Sequence, residues 1–215
     1  MKSALVVWGG YEFHDPEETA NLFAGELRGH DFAVELSNTL DSYLDVEKMR
    51  SLDLIVPVWT KGDLSNEQER NLVNAIAAGS GIGGWHGGLV DAFRNNTEYQ
   101  FMTGGQWVSH PGSDHNEYTV NITQPDDPIT KGISDFTVRS EQYYLHVDPS
   151  NEVLATTTFT GDPYPWIAGT VMPVVWKRSW GAGKVFYCSL GHQLDVFDIP
   201  EARELVTRGL IWAAR

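Results

Sequence analysis

Several features are scarce in this sequence, and each scarcity excludes a class of protein. The 215 residues contain a single cysteine, Cys188, so no internal disulfide can form, and a reducing, cytoplasmic location is expected. Lys and Arg number 15 against 29 Asp and Glu, and the formal net charge is -14, so nucleic acid is not expected as a partner. The apolar run at the start, residues 4–8, is too short for a signal peptide or a membrane span, and it predicts a first β-strand.

Nucleotide-binding motifs and low-complexity tracts are also missing. The Gly9-Gly10 turn is not part of a Gly-x-Gly-x-x-Gly sequence, and no phosphate-binding Gly-x-x-x-x-Gly-Lys-Ser/Thr sequence occurs. The hydrophobic content of 41% is ordinary for a folded protein. A chain of this length buries roughly 70% of its unfolded surface, so one domain spanning residues 1–215 is expected.

The first half of the chain alternates strand and helix patterns. Strands are predicted at Leu5–Trp8, Phe32–Leu36, Asp53–Trp59 and Gly81–Trp85. One helix should start at Asp15-Pro16, with Asp15 as its capping side chain, and another at Ser65, where Gln68 completes a capping-box spacing. This alternation is typical of βαβ units that form a parallel sheet covered on both faces, and it predicts a three-layer α/β, flavodoxin-like fold.

Beyond about Tyr99 the pattern changes to alternating segments separated by glycine and proline. Strands are predicted there at residues 118–122, 136–144, 152–159, 171–178 and 184–189. We expect them to form an antiparallel extension of the mainly parallel sheet. The Asp198–Glu201 segment should cap a final helix that packs back onto the sheet.

Four of the seven histidines are placed where a ligand site is expected. His14, His86 and His192 each follow a predicted strand, and His110 lies in a loop that would overhang the same edge. Ligands of open α/β sheets bind outside the carboxyl ends of the parallel strands, so these rings should meet at one edge of the sheet. Imidazole binds metals, transfers protons near neutral pH and hydrogen-bonds sugar hydroxyls.

The segment Gly84-Trp85-His86-Gly87-Gly88 has the spacing of a nucleophile elbow, in which glycines flank a tight strand-to-helix turn. That turn should present His86 at the mouth of the site. Imidazole lacks the thiol or hydroxyl that acyl transfer uses, and Cys188 lies inside a predicted strand, so glutamine amidotransferase and serine hydrolase reactions are not expected. The alternative is that His86 only caps the following helix.

The segment from Ser140 to His146 combines a carboxylate, an amide, two phenols and an imidazole. On a strand, Glu141 and Tyr143 would face one way and Gln142 the other. Glu141 is the leading candidate for a general acid or base, and Tyr143 for a substrate contact. The alternative is an ordinary strand with one buried face and one wet face.

Eight tryptophans are many for this length, and aromatic faces pack against the C–H faces of sugars. The candidate substrate contacts near predicted strand ends are Trp8, Trp59 and Trp85, together with the Gly9-Gly10 turn. Trp107 lies in a loop above the same edge. The alternative for each ring is a place in the core.

Four segments, taken in order, resemble the trehalose-utilisation (ThuA-like) family. They are Gly83–Gly88, Gly104–Pro111, Ser140–Tyr144 and Gly183–His192, and the resemblance spans nearly the whole chain. This family is similar in fold to class I glutamine amidotransferases but lacks their cysteine. The resemblance carries over His86, His110, Glu141 and His192 with the Gly9-Gly10 loop, whereas His14 is a candidate only because it follows a strand.

The resemblance implies a role in disaccharide or glycoside catabolism, with trehalose and its 3-keto derivative as the substrate class. We expect an enzyme that uses His and Glu acid–base chemistry, such as a keto-sugar isomerase or lyase, with a divalent metal such as Zn²⁺ as one option. The alternative is a non-catalytic carbohydrate-binding or regulatory protein. A third hypothesis is a homo-oligomer that associates through exposed aromatic loops.

Overall fold

The computed structural model describes residues 1–215 and contains eleven β-strands and six α-helices. The strands are β1 (Lys2–Gly10), β2 (Phe32–Ser37), β3 (Leu54–Thr60), β4 (Gly81–Trp85), β5 (Gly105–Ser109), β6 (Asn116–Ile122), β7 (Phe136–Ser140), β8 (Tyr144–Val147), β9 (Glu152–Thr158), β10 (Val171–Trp180) and β11 (Gly183–Cys188). The helices are α1 (Pro16–Gly29), α2 (Val46–Ser51), α3 (Asn66–Ala77), α4 (Gly87–Val90), α5 (Thr97–Thr103) and α6 (Pro200–Ala213). None of these helices has the length and apolar character needed to cross a membrane.

Nine strands form one sheet in the order β2-β1-β3-β4-β11-β10-β9-β6-β7. The strands from β2 to β11 in this order run parallel to one another, and the remaining four continue the sheet in antiparallel fashion. Strands β5 and β8 form a separate antiparallel pair. The prediction of a parallel sheet with an antiparallel extension is confirmed.

Helices cover both faces of the parallel part of the sheet. In β1, Ala4 and Val6 join one buried cluster, which includes residues of α1 and α6, while Leu5 and Val7 join the other, which includes residues of α3 and α5. Each fully buried Leu or Val side chain contributes roughly 1.5–3 kcal/mol relative to an exposed one. The two apolar faces of a strand such as β1 therefore hold the three layers together.

Helix α1 starts at Pro16 as predicted, but the predicted side-chain caps are present in one case only. At α3 the capping box is present, because the backbone N–H of Gln68 donates to Ser65 Oγ over 3.2 Å and the Ser65 N–H donates to Gln68 Oε1 over 2.9 Å. At α1 the prediction of a capping Asp15 is wrong. Its carboxylate instead accepts the Leu194 N–H over 3.0 Å and ties the start of α1 to the segment that follows β11.

The predicted strand 136–144 and the start of the last helix also differ from the structure. β7 ends at Ser140 and β8 starts at Tyr144, so residues 141–143 are not a strand but cross from the large sheet to the small one. At α6, Ile199 occupies the N-cap position and makes no side-chain cap, so Asp198 does not cap this helix as predicted. The proline that follows Ile199 defines the start of the helix by its fixed φ.

Cys188 is fully buried at the end of β11, and burial raises the pKa of its thiol to about 12. The thiolate fraction at neutral pH is therefore very small. We predict that a thiol-reactive aromatic disulfide will not label the native protein, whereas protein unfolded in guanidinium will be labelled once per chain, as measured by absorbance. Stoichiometric labelling of the native protein within the first minute would contradict this placement.

Gly209 lets α6 lie close to the sheet. A Cβ at this position would lie 2.1 Å from the ring of Phe186 in β11. Alanine normally stabilises a helix by about 1 kcal/mol relative to glycine, but overpacking of this kind costs about 1–3 kcal/mol. We therefore predict that Gly209→Ala lowers the free energy of unfolding, measured in urea, by roughly 1–2 kcal/mol.

Gly25 in α1 provides the matched control, because a Cβ there has no neighbour within 4 Å. Gly25→Ala should raise the free energy of unfolding by about 0.5–1 kcal/mol. A shift of the same sign in both variants would show that α6 does not pack on Phe186 as described.

Candidate functional site

Three histidine rings lie close together where parallel strands of the sheet end. His14 follows β1, His86 follows β4 and His192 follows β11, all at the carboxyl edge of the parallel part of the sheet. The ring centroids lie 4.8 Å apart for His14 and His86, 5.1 Å for His14 and His192, and 5.5 Å for His86 and His192. The parallel sheet thus concentrates imidazole groups from distant parts of the chain at one point.

Glu141 supplies the one carboxylate of this cluster. Its Oε2 lies 3.1 Å from His86 Nε2 and 3.3 Å from His192 Nδ1, and its Oε1 lies 3.5 Å from His110 Nε2. Burial alone would raise the pKa of Glu141, but the neighbouring imidazoles of His192 and His86 outweigh it and hold the pKa well below its usual value. The carboxylate is therefore ionised at neutral pH, with its negative charge enclosed by nitrogen atoms.

His86 lies deeper than the nucleophile-elbow spacing predicts. Its backbone has the strained turn expected of an elbow, with φ 48°, but its side chain is only 1% exposed. The ring stacks on Tyr143 at 4.1 Å, its Nε2 is 2.7 Å from the Tyr143 hydroxyl, and its Nδ1 is 3.0 Å from the Ser189 carbonyl. The prediction that His86 stands at the mouth of the site is wrong, because these contacts hold the ring below the floor.

The alternative role of His86 as a simple helix cap does not fit either. The residue occupies the N-cap position of α4, but its side chain makes no hydrogen bond to that helix. Burial lowers the pKa of His86 despite the opposing effect of Glu141. The ring is therefore held neutral inside the cluster.

Gly87, the next residue, makes room for His14. A Cβ at Gly87 would lie 2.8 Å from the Thr60 side chain and 3.1 Å from His14 Nδ1. The Thr60 hydroxyl and His14 Nδ1 are 2.9 Å apart, so this contact fixes the orientation of the His14 ring. Burial and the neighbouring rings of His86 and His192 lower the pKa of His14 to about 3, so it too is neutral.

The cluster has the composition of a metal-binding site. His14, His86, Glu141 and His192 each offer one ligand atom, and these atoms lie within 4.8 Å of one another. Neutral imidazole nitrogens and an ionised carboxylate are the ligands that first-row divalent metals accept.

A cavity of about 600 Å³ opens above the cluster. Of the predicted site residues, His14, His110, Glu141, Tyr143 and His192 line it. His110 has 41% of its side chain exposed, against 11% for His192 and 1% for His86. The predicted residues that carry ionisable groups are thus brought together at one cavity, except that His86 lies beneath it.

Sequence reasoning missed several residues of the cavity wall. They are Tyr11, Phe13, Lys61, Asp91, Arg94, Asp114 and Gln193. Tyr11 and Lys61 could have been found by the rule that identified His14, because each directly follows a parallel strand. Asp91 follows the short helix after the elbow, and no local pattern marks it.

Asp91 and Arg94 shape the wall beside Trp107. Arg94 Nε donates to Asp91 Oδ1 over 2.5 Å, and the guanidinium lies 4.5 Å from the Trp107 ring centre. The hydrogen bond from Arg94 to Asp91 raises the pKa of Arg94, so the guanidinium stays charged, and the Asp91 carboxylate lies against it. This side of the cavity presents an aromatic face without net charge.

The other predicted substrate contacts lie outside the cavity. Trp85 is 2% exposed and packs on Phe23, with ring centres 4.4 Å apart, so the core alternative is correct for this residue. Trp8 packs against the same core. Gly9 approaches Trp59 so closely that a Cβ would lie 2.5 Å from its ring, which means that the Gly9-Gly10 turn accommodates Trp59 and does not line the cavity.

The remaining histidines were not assigned to the site. His30 and His115 are exposed in loops, and His146 is exposed on β8. All three lie outside the wall of the cavity.

Solved structures with the same fold support the architecture. A ThuA-like protein of Bacteroides uniformis is 20% identical and covers 99% of this chain and 91% of its own, with a TM-score of 0.80. A ThuA-like protein of Parabacteroides merdae is 16% identical, with coverage of 99% and 89% and a TM-score of 0.77. A cytoplasmic protein of Salmonella typhimurium is 12% identical and covers both chains fully, with a TM-score of 0.66.

No curated protein matches the sequence. The family described as ThuA, trehalose utilisation, matches residues 3–213, which is nearly the whole chain. Its four sequence segments meet around the histidine cluster and its cavity. The chain therefore belongs to the ThuA, or trehalose-utilisation, family.

Proposed function

We propose that the chain is an enzyme of sugar metabolism that acts on a neutral disaccharide or keto-glycoside of the trehalose or 3-keto-trehalose class. Its family is that of trehalose utilisation. The observation that carries the proposal is the pairing of His110 with Glu141 at a cavity that also has an aromatic wall. An ionisable pair that faces this cavity supports a reaction that begins with proton transfer.

The cavity suits an uncharged polyhydroxy ligand. Its volume of about 600 Å³ lies within the range of small-molecule sites. Trp107 offers a ring face to such a ligand. Lys61 is the second basic residue of the wall besides Arg94, and its Nζ lies 3.6 Å from the ring centre of Tyr11. Because Asp91 compensates Arg94, no strong uncompensated charge on that wall selects an anion.

The acid–base chemistry fits His110 better than the other imidazoles. His110 is the accessible ring, while Glu141 beside it stabilises the imidazolium that forms when His110 takes a proton. In a keto-sugar the carbonyl acidifies the C–H bond on the adjacent carbon, and His110 would remove that proton to give an enediolate. Isomerisation is complete when the proton returns to the former carbonyl carbon and the hydroxyl proton passes from one enediolate oxygen to the other. Expulsion of the alkoxy group on the next carbon, which takes up the proton, instead completes an elimination.

We predict that His110→Ala lowers kcat for 3-keto-trehalose by about 10²–10⁴-fold while sugar binding persists, because general acid–base catalysis contributes that much. Product formation followed by chromatography measures the rate, and calorimetry measures binding. His115→Ala, in the same loop but exposed at the surface, is the matched control and should keep wild-type kcat. If the wild-type chain binds these sugars but converts none of them, the protein is a carbohydrate-binding or regulatory protein.

We also predict that Trp107→Ala weakens sugar binding by about tenfold, since stacking of a buried ring contributes on the order of 1 kcal/mol. The expected change is a higher KM with a smaller effect on kcat, measured with the same substrate. Trp166, which is 80% exposed and lies outside this cavity, provides the control substitution Trp166→Ala. Equal effects of the two substitutions would argue against Trp107 as a sugar contact.

We further propose that residues 1–215 act as one domain in the cytoplasm. One continuous nine-stranded sheet contains strands from both halves of the chain, which supports a single domain. The lone buried cysteine suits a reducing compartment, and one fold relative from Salmonella typhimurium is described as a cytoplasmic protein. Localisation of a fluorescently tagged chain in cells would test this.

A further inference from the structure

The hydrogen bonds of His86 leave one contact of Glu141 without a proton. His86 Nδ1 lies 3.0 Å from the Ser189 carbonyl oxygen, which can only accept, so Nδ1 carries the proton of the neutral ring. Nε2 is then an acceptor with one lone pair, which the Tyr143 hydroxyl, 2.7 Å away, can occupy only while no ion does. Glu141 Oε2 nevertheless lies 3.1 Å from the same Nε2. Two acceptors at this distance in a buried site require a proton or a metal ion between them.

A second proton on His86 would place a positive charge on a side chain that is only 1% exposed, where burial opposes it. A second observation also indicates a bound cation. His192 Nδ1 is buried and makes no hydrogen bond, although Glu141 Oε2 is 3.3 Å away. An unpartnered buried nitrogen is uncommon and indicates a missing partner.

The two contacts of Glu141 Oε2 have the spacing of ligands that share one ion. Two ligands placed about 2.1 Å from a metal at a tetrahedral angle are about 3.4 Å apart. The observed contacts of Glu141 Oε2, at 3.1 Å and 3.3 Å, are close to that separation. Ordinary hydrogen bonds explain neither the proton-free contact with His86 nor the unpartnered His192.

We propose that His14, His86, Glu141 and His192 together bind one first-row divalent transition-metal ion, for which Zn²⁺ is the probe. Three imidazoles and one carboxylate suit such an ion, whereas Mg²⁺ and Ca²⁺ prefer oxygen ligands throughout. Outer-shell contacts of the kind that orient metal-binding histidines are present, from the Ser189 carbonyl to His86 and from the Thr60 hydroxyl to His14.

The metal site adds a chemical group to the proposed function, but metal binding does not depend on that function. An ion held by these four residues would supply Lewis-acid polarisation of a sugar oxygen. His110 lies outside the ligand set and remains free for proton transfer. Binding of the ion itself requires only the four ligands, so it can be measured on a chain with no detectable sugar turnover.

The test uses the full chain, stripped of metal with a chelator and titrated with Zn²⁺ by calorimetry, with elemental analysis after dialysis. We expect one Zn²⁺ per chain, a higher Tm with Zn²⁺ and no comparable binding of Mg²⁺. The isosteric Glu141→Gln and the smaller His192→Ala should each weaken Zn²⁺ binding by at least about 100-fold, since loss of an outer-shell partner alone costs 10–100-fold. Circular dichroism checks that both variants are folded.

Three control variants separate this site from adventitious binding. His115→Ala and His146→Ala remove exposed histidines, and His110→Ala removes a cavity histidine outside the ligand set, so all three should bind Zn²⁺ as the wild type does. Failure of the wild type to bind Zn²⁺, or wild-type affinity in both Glu141→Gln and His192→Ala, overturns the metal site. Zn²⁺ binding without conversion of any sugar leaves the metal site in place and removes the proposed function, whereas turnover by metal-free protein leaves the proposed function in place and removes only the Lewis-acid role of the ion.

Discussion

The contact between the Glu141 carboxylate and the imidazoles around it is the interaction on which the site depends. A buried carboxylate is stable only when its charge is compensated, and Glu141 Oε2 lies within 3.3 Å of both His86 and His192. Its other oxygen faces His110, the accessible group of the cavity. One side chain thus joins a buried polar cluster to a surface where a ligand can bind.

Several local backbone features position the side chains that make this contact. Residues 141–143 leave β7 and cross to the small sheet, which lets Glu141 and Tyr143 both face the cluster while Gln142 bonds to Thr157. The left-handed turn at His86 directs its ring under the cavity floor, and the lack of a side chain at Gly87 lets His14 approach Thr60. The cavity is therefore built by irregular segments supported on a regular sheet.

Much of the fold and part of the site could be predicted from the sequence. The period of apolar residues located the strands of the large sheet, because burial on one or both faces of a sheet imposes that period. It did not locate β5, since the segment that carries Trp107 was expected to be a loop. The strand-exit rule located His14, His86 and His192, since parallel strands end at one edge. The rule wrongly predicted Trp85 as a substrate contact. A residue at a strand end can also lie in the core, where the Trp85 ring packs on Phe23.

The sequence by itself determined the three-layer architecture, the absence of a nucleophilic cysteine and the residue types available for chemistry, because these follow from local patterns. Only the tertiary structure decided that His86 is buried, that Asp91 and Arg94 line the wall, and that Asp15 bonds to Leu194 instead of capping its helix. The depth of a side chain and its hydrogen-bond partners depend on residues far away in the chain. No local pattern encodes them.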